Sequence, residues 1–387
     1  MIPIMIDVAA VALGLTALAG AGQSVAGWVA LRRFRSRRAP ASASLPAVTI
    51  LKPLHGDEPL LEEALASCCT QDYPTFQIVF GLQDPSDPAI EVLRRLRRRF
   101  PDVAMDVVVD RTTHGLNRKI GNLINMLPQA RHDLLVIADS DMHVAPDYLR
   151  SLVAALQQPR VGLVTTLYSG RAASDTMTGR LGAAQINHAF LPGALLARAM
   201  GREDCLGATM ALSRDTLEQV GGLRALADHL ADDAVLGRLV QAQGLRVALA
   251  GTIPATTVPE TQVPVLFEHE LRWARTVKSL VPVEFALSAI QFPLFWAALT
   301  VGVSEGAGWA WLLFAATWLV RGVCAHAIDA DLKVASALTI WCLPFRDLLS
   351  MTVLLASYRT KRVAWRGQVM LATRPSLIPT SLAPGEG

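Results

Sequence analysis

Apolar positions divide the chain into three stretches of different character. Between Val8 and Leu31 nearly every residue is Ala, Val, Leu or Gly, a run long enough to cross a hydrocarbon core about 30 Å thick. It passes directly into Arg32, Arg33, Arg35, Arg37 and Arg38. Charge that follows an apolar run, rather than preceding it, predicts a retained anchor and not a cleaved secretory leader. By the positive-inside rule its amino end lies outside and its carboxyl end in the cytoplasm. Ala39 to Pro46 is Ala, Ser and Pro and reads as a linker.

From Ala47 to about Pro282, short apolar runs alternate with segments of helical period. Val48–Leu51, Gln77–Leu82, Met105–Val109, Leu134–Ala138 and Val161–Thr165 read as strands, with helices starting near Glu58, Pro88, Arg118 and Pro146. The alternation predicts a largely parallel sheet covered by helices. Within it, Glu91 to Phe100 puts Val92, Leu93, Leu96 and Phe100 on one helical face and arginines on the other. That pattern fits a solvated surface helix, or one that meets anionic headgroups.

After Pro282 the apolar runs lengthen again. Phe285–Val303 and Trp309–Ile328 are plausible spans, whereas Ala337–Ser357 carries Pro344, Arg346 and Asp347 at its centre. A charged pair at mid-bilayer is expensive, so this last segment is expected to be re-entrant or interfacial. The tail residues Arg359, Lys361, Arg362 and Arg366 belong in the cytoplasm, which three crossings plus a re-entrant segment satisfy. The expected organisation is an anchor over 1–31, a basic linker over 32–46, a catalytic domain over 47–282, membrane segments over 283–357 and a basic cytoplasmic tail over 358–387.

Composition sharpens this picture. Of the 387 residues 52% are hydrophobic and 18% charged, too apolar for an ordinary soluble enzyme and too charged in the middle for a pure membrane bundle. A net charge of +3, with basic residues beside apolar segments, favours a membrane surface as partner and excludes nucleic acid. The five cysteines form no Cys-x-x-Cys and pair with no spaced histidines, which implies a reduced compartment and no structural zinc.

The chemistry gathers at strand ends. Leu134–Ala138 stops abruptly at Asp139-Ser140-Asp141, and in open α/β sheets the carboxyl ends of strands open into the ligand crevice. Two carboxylates so close repel unless a cation lies between them, and a hard divalent ion bearing phosphates meets that need. Asp84, in Gln83-Asp84-Pro85-Ser86-Asp87, lies at the end of another strand on the same rim. It fits either a turn or an acceptor for a nucleotide base or ribose. Lys119 opens a helix, where it is either an exposed first-turn residue or a partner for a diphosphate. Asp232 and Asp233 begin another helix, where acids complement the dipole, and Asp233 could alternatively serve as a general base. His269-Glu270-Leu271-Arg272-Trp273 lies on an amphipathic helix before the first carboxyl-terminal apolar run. There Arg272 and Trp273 point about 100° apart, so one can face a phosphate and the other an apolar acceptor or the interface. No His-Glu-x-x-His is present, so zinc hydrolase chemistry has no support.

Each signal is weak alone, but their order resembles one family. The carrying residues are Lys52-Pro-Leu-His-Gly56, Gln83-Asp84-Pro-Ser-Asp87, Asn117-Arg-Lys119-Ile-Gly-Asn122, Asp139-Ser-Asp141, Asn187-His188-Ala-Phe-Leu-Pro192, Asp232-Asp233 and His269-Glu-Leu-Arg272-Trp273. Together they are similar to the ceramide glucosyltransferase-like membrane glycosyltransferases, and most similar to the bacterial hopanoid-biosynthesis-associated glycosyltransferases. His269 departs from the broader family, in which Gln or Arg usually opens the Arg-Trp element. The resemblance implies a GT-A-type nucleotide-sugar-binding domain, a mostly parallel sheet flanked by helices, with an N-terminal transmembrane helix and C-terminal membrane helices. It implies an inverting, Mg2+- or Mn2+-dependent transferase that moves N-acetylglucosamine from UDP-N-acetylglucosamine onto a membrane lipid, a hopanoid such as bacteriohopanetetrol. Glucose from UDP-glucose onto ceramide is the alternative. A processive polysaccharide synthase is disfavoured by the few spans, and an inactive nucleotide-sugar-binding scaffold by the presence of every acid.

The implied roles are Asp84 for the uridine, Asp139 and Asp141 for the metal, and Lys119, Asp139, Arg272 and Trp273 for the donor. Asp233 and Arg272 are implied as catalytic, and His188, His269 and Trp273 as acceptor-side. The implied setting is the bacterial inner membrane, multi-pass, with the site on the cytoplasmic face.

Overall fold

The computed structural model describes residues 2–37, 44–335, 337–360, 362–365 and 368–371. Helix α1 (Ile2–Ser36) leads to β1 (Val48–Pro53), α2 (Leu61–Cys69), β2 (Phe76–Leu82), α3 (Ala89–Arg99), β3 (Ala104–Val109), α4 (Arg118–Met126) and β4 (Leu134–Ala138). Next come β5 (Met142–His143), α5 (Tyr148–Leu156), β6 (Val161–Thr165), β7 (Ser169–Ala172), α6 (Met177–Gln185), a π-helical turn over Ile186–Phe190 and α7 (Leu191–Ala199). Then follow β8 (Thr209–Ser213), α8 (Arg214–Gln219), α9 (Asp232–Ala242), β9 (Arg246–Leu249), β10 (Ala255–Val258) and α10 (Val263–Leu280). The last helices are α11 (Pro282–Leu287), α12 (Pro293–Val303), α13 (Gly308–Leu332) and α14 (Leu343–Ala356). A hairpin of β11 (Arg362–Trp365) and β12 (Gln368–Leu371) stands in the segment expected to be a plain basic tail. Most of the Ala/Ser/Pro linker, and the tail's Lys361 and Arg366, lie outside the described residues.

Seven strands form one sheet in the order β3-β2-β1-β4-β8-β6-β9. Its pairs are parallel except at β8, which runs antiparallel to both β4 and β6. The five strands expected from the sequence are all present, and the apolar run of β4 is buried on both faces: Val136 packs with one core, Leu135 and Ile137 with the other. Two strands of this sheet were not legible. β8 is short, and β9 begins with an exposed arginine and alternates too weakly to stand out. Helix α2 starts three residues after Glu58 because Leu60 takes φ 61°, left-handed backbone that no helix continues through. On the basic face of α3, Arg94 pairs with Glu91, Arg95 with Glu62, and Arg97 donates to the Met105 carbonyl. A second sheet, β5-β10-β7, starts immediately after Asp141.

Among the described residues two helices are long and apolar enough to cross a membrane, Met5–Ser36 and Gly308–Leu332. The run expected as a straight span over Phe285–Val303 is instead broken at Phe292. Pro282–Gln291 and Pro293–Val303 meet at 69°, so a third crossing exists only if the bent pair counts as one. Proline at the first position of α12 starts a new helix there and cannot extend the old one. A Cβ on Gly14 would lie 3.1 Å from Leu313, while Trp28 further along α1 donates to Asp331. Helices α1 and α13 therefore run in the same direction, with carboxyl ends together. Helix α14 has 14 residues, about 21 Å, and is too short to span. Its Arg346 and Asp347 are fully buried within the protein and paired, which removes the expense of a charged pair facing lipid.

Candidate active site

The site is built at the carboxyl edge of the large sheet, around one lysine. Asn117 caps α4, its Oδ1 accepting from the Ile120 amide at 3.1 Å, while its Nδ2 donates to the His229 carbonyl at 2.8 Å and to Asp232 Oδ1 at 3.2 Å. One asparagine thus joins the start of α4 to the start of α9. Two residues on, Lys119 Nζ lies 2.6 Å from Asp139 Oδ1 at the end of β4, and 3.9 Å from Asp232 Oδ2. From below, the buried Lys52 of β1 donates to the Asp139 carbonyl at 2.6 Å. The Asp139 amide donates to the Ala208 carbonyl, just before β8.

The turn after Asp139 is held from three sides. Ser140 Oγ donates to Glu58 at 2.6 Å. Thr256 of β10 donates to Asp141 Oδ2 at 2.5 Å, and the Thr257 amide donates to the Asp141 carbonyl at 3.2 Å. Asp233 follows Asp232 at the start of α9, and the Ala234 amide donates to its Oδ1 at 2.8 Å. Gly207 packs beside it, and a Cβ there would lie 2.9 Å from Asp233 Oδ2, so a larger residue would push the carboxylate aside.

So many acids raise one another. Burial, then the charge of neighbouring Asp139, pushes the Asp141 carboxyl up to about 6. Burial, then Asp232, pushes Asp233 up to about 6 as well, and Asp232 itself is raised, mainly by burial. Burial would lower Lys119, but the charges of Asp139 and Asp232 outweigh it and hold the ammonium well above its ordinary range. Asp139 is more open than its partners in this cluster, its side chain 37% exposed against 13% for Lys119 and 10% for Asp232. A ligand arriving at the sheet edge meets it first.

Among the described residues no three His, Cys, Asp or Glu side chains converge to enclose a metal ion. Asp139 and Asp141 nevertheless fit one. They are hard oxygen donors that repel each other across one residue, and ions such as Mg2+ commonly take one or two carboxylates from the protein and the rest of their ligands from substrate phosphates and water.

The remaining expected residues are distributed as follows. Asp84 accepts from the Ser86 amide and hydroxyl at 2.9 and 2.7 Å, the turn reading, and those bonds lower its carboxyl. It stays exposed at the end of β2. With β1 lying between β2 and β4, the ends of those two strands are two spacings apart, about 10 Å. His188 is buried in the π-helical turn with Nε2 2.8 Å from Asp329 of α13. It packs as a core histidine that joins the domain to α13, the alternative to the acceptor-side role that the resemblance implies. His269 meets Glu260 through Nδ1 and Trp273 edge-on, with ring centroids 4.5 Å apart. Arg272 is half-buried on the same helix. The sequence assigns no site role to Lys52, Asn117, Thr256 or Glu260, and to Asp232 only a place beside the helix dipole. A lysine inside an apolar strand was the one legible signal among them.

Comparison with known proteins follows from this geometry. The description glycosyl transferase family 21 matches residues 8–377. Ceramide glucosyltransferase 1 of Caenorhabditis elegans is 24% identical over 254 residues, 64% of this chain and 53% of that protein. A ceramide glucosyltransferase of Gibberella zeae is 33% identical over 147 residues, 34% of this chain and 28% of that one. The beta-monoglucosyldiacylglycerol synthase of Trichormus variabilis is 28% identical over 154 residues, 39% and 32% of the two chains. The chain spans about half the length of the first of these relatives, and less of the others. Among solved structures, a mannosyltransferase from Pyrobaculum calidifontis, in complex with GDP-Man and Mn2+, superposes with a TM-score of 0.52 at 19% identity, covering 92% of this chain and 99% of that one. That likeness shows the GT-A-type fold.

Proposed function

The chain belongs to glycosyl transferase family 21, and from that premise we propose that it transfers a sugar from a UDP-sugar to a hydroxyl of a membrane lipid, with inversion at the anomeric carbon. The observation that carries this reading is the gathering of Asp139, Asp232 and Asp233 about Lys119 at the carboxyl edge of the sheet. Asp84 serves the uridine, about two strands away. Lys119 holds diphosphate oxygens, and Arg272 adds positive charge where the leaving group develops its own. Asp233 takes the proton of the acceptor hydroxyl as that oxygen bonds to the anomeric carbon and the carbon–oxygen bond to UDP breaks. Trp273 and His269 face the acceptor.

Asp139 and Asp141 are the residues that would hold Mg2+ or Mn2+, an ion that when bound neutralises charge on the departing diphosphate. Membranes containing the chain are therefore expected to consume UDP-sugar only when one of these ions is supplied, and to stop on chelation. Undiminished turnover in excess EDTA would remove both aspartates from this role. Consumption of the donor at all separates a transferase from an inactive scaffold.

The sugar is N-acetylglucosamine and the acceptor a hopanoid such as bacteriohopanetetrol, a reading supported by the resemblance of the motif set to the bacterial branch. Glucose onto ceramide is the second reading, favoured by the names of the eukaryotic relatives. Mass spectrometry of lipids from a host with and without the chain tests both. A hexosamine increment on a hopanoid supports the first and a hexose on a sphingoid lipid the second; no new glycolipid in either class would refute both readings, and no new glycolipid of any class would refute lipid glycosylation. We place the site at the cytoplasmic face of a multi-pass protein of the bacterial inner membrane, since Arg32, Arg33 and Arg35 follow the first apolar run on the catalytic-domain side.

A further inference from the structure

Arg346 of α14 is 1% exposed, yet each nitrogen of its guanidinium has an acceptor. Nη1 donates to Glu270 Oε1 at 2.8 Å and to the Leu181 carbonyl at 3.1 Å. Nη2 donates to Glu270 Oε2 at 2.6 Å and to Ser350 Oγ at 3.0 Å, and Nε also reaches Ser350, at 3.2 Å. Ser350 in turn donates to Gln185 at 2.9 Å. Three helices, α6, α10 and α14, therefore meet at one two-pronged contact. The neighbouring residue reaches the other way: Asp347 accepts from the Leu294 amide at the start of α12 at 3.1 Å and from Arg321 of α13 at 3.4 Å. Arg321 also donates to the His188 carbonyl at 3.1 Å.

Glu270 lies on the buried face of α10, one turn after Leu266, and directly precedes the turn that carries Arg272 and Trp273. A buried ion pair stabilises little beyond apolar side chains of similar volume, whereas a planar fork on a carboxylate sets both distance and rotation. We propose that Arg346 and Glu270 are positioning residues for sugar transfer: together they fix the rotation and depth of α10, so that Trp273 meets a bilayer-held acceptor at a set height while Arg272 faces the departing diphosphate. This rests on the reading that α10 faces the lipid substrate.

The test uses the full chain in lipid nanodiscs with the acceptor lipid, comparing wild type, Arg346→Lys and the double variant Glu270→Met/Arg346→Met. Lysine keeps the charge without the fork; the double variant keeps an apolar, packed contact, and thermal melting shows whether each variant is folded. Both variants are expected to transfer about 10- to 100-fold more slowly, the effect of a small displacement at a reacting centre, with KM for the UDP-sugar unchanged. Amide hydrogen exchange in α10 should quicken while that of β4 and α9 stays as in wild type. Transfer at the wild-type rate by the double variant, or unaltered exchange in α10, would overturn the proposal; so would a KM for the donor that worsens in step with the rate. A wild-type chain that transfers no sugar would instead refute the transferase reading, while the exchange data would still judge the pair.

Discussion

Replacing Asp233 with Asn is expected to lower sugar transfer about 10²- to 10⁴-fold, the usual worth of a positioned general base, with UDP binding close to wild type. The separation of the two effects follows from the geometry. Asp233 Oδ1 accepts from the Ala234 amide, a bond that the Asn carbonyl oxygen can also make, so the start of α9 persists. The contacts of Lys119 with Asp139 and Asp232 do not involve the substituted side chain. In the wild type, burial and the charge of Asp232 push the Asp233 carboxyl up to about 6. A base must be ionised to accept a proton, so kcat/KM for the acceptor should hold above that value and fall as pH drops through about 6. The residual activity of the Asn variant should lose that acid limb. Wild-type turnover in Asp233→Asn, measured with the lipid acceptor, would end the assignment.

Lys119→Met should be nearly as damaging, but through a different step. Its ammonium neutralises Asp139 at 2.6 Å and lies 3.9 Å from Asp232. Removing it leaves several carboxylates facing an incoming diphosphate. We expect transfer to fall about 10²- to 10³-fold, the scale seen when one preorganised donor is lost from an active site. Unlike the Asp233 variant, it should also bind UDP much more weakly by calorimetry. Losing a nearby positive charge raises a carboxyl, so the acid limb of the residual activity should move to higher pH. Lys119→Arg, which keeps the charge, should recover part of the binding. If Lys119→Met bound UDP as tightly as the wild type, the lysine would have no place on the diphosphate.

What was legible beforehand follows a physical boundary. Strands β1, β2, β4 and β6 announce themselves because burial on both faces demands continuous apolar runs, while the edge strand β3 is legible from its valines although much of it is exposed. Asp139 and Asp141 stand out because acids cannot continue such a run. The opposite orientation of β8 was hidden, since strand direction leaves no trace in a short apolar segment. Asp232 looked like ordinary helix-dipole chemistry, and only its 3.9 Å approach to Lys119 separates it from that. Asp84 shows the reverse: its bonds to Ser86 form the turn and leave the carboxylate exposed at the rim, so the two readings are compatible. The break at Phe292 was invisible to a hydropathy average, which sees composition and not the proline that restarts the helix. Arg346 and Asp347 looked like an obstacle to burial because their partners, Glu270 and Arg321, lie far away in the chain.

The placement of β8 bears on how the protein is made. During synthesis, β4 leaves the ribosome well before residues 209–213 exist to pair with its open side. Until then a row of backbone donors and acceptors next to Asp139 is exposed to any passing strand, a recognised route to aggregation. The segment that must emerge in between includes α6 and α7, and a Cβ on Gly27 of α1 would lie only 2.6 Å from Pro192 in α7. In the folded protein the anchor helix α1 thus packs directly on α7, so the stretch that leads to the missing strand is held against the anchor.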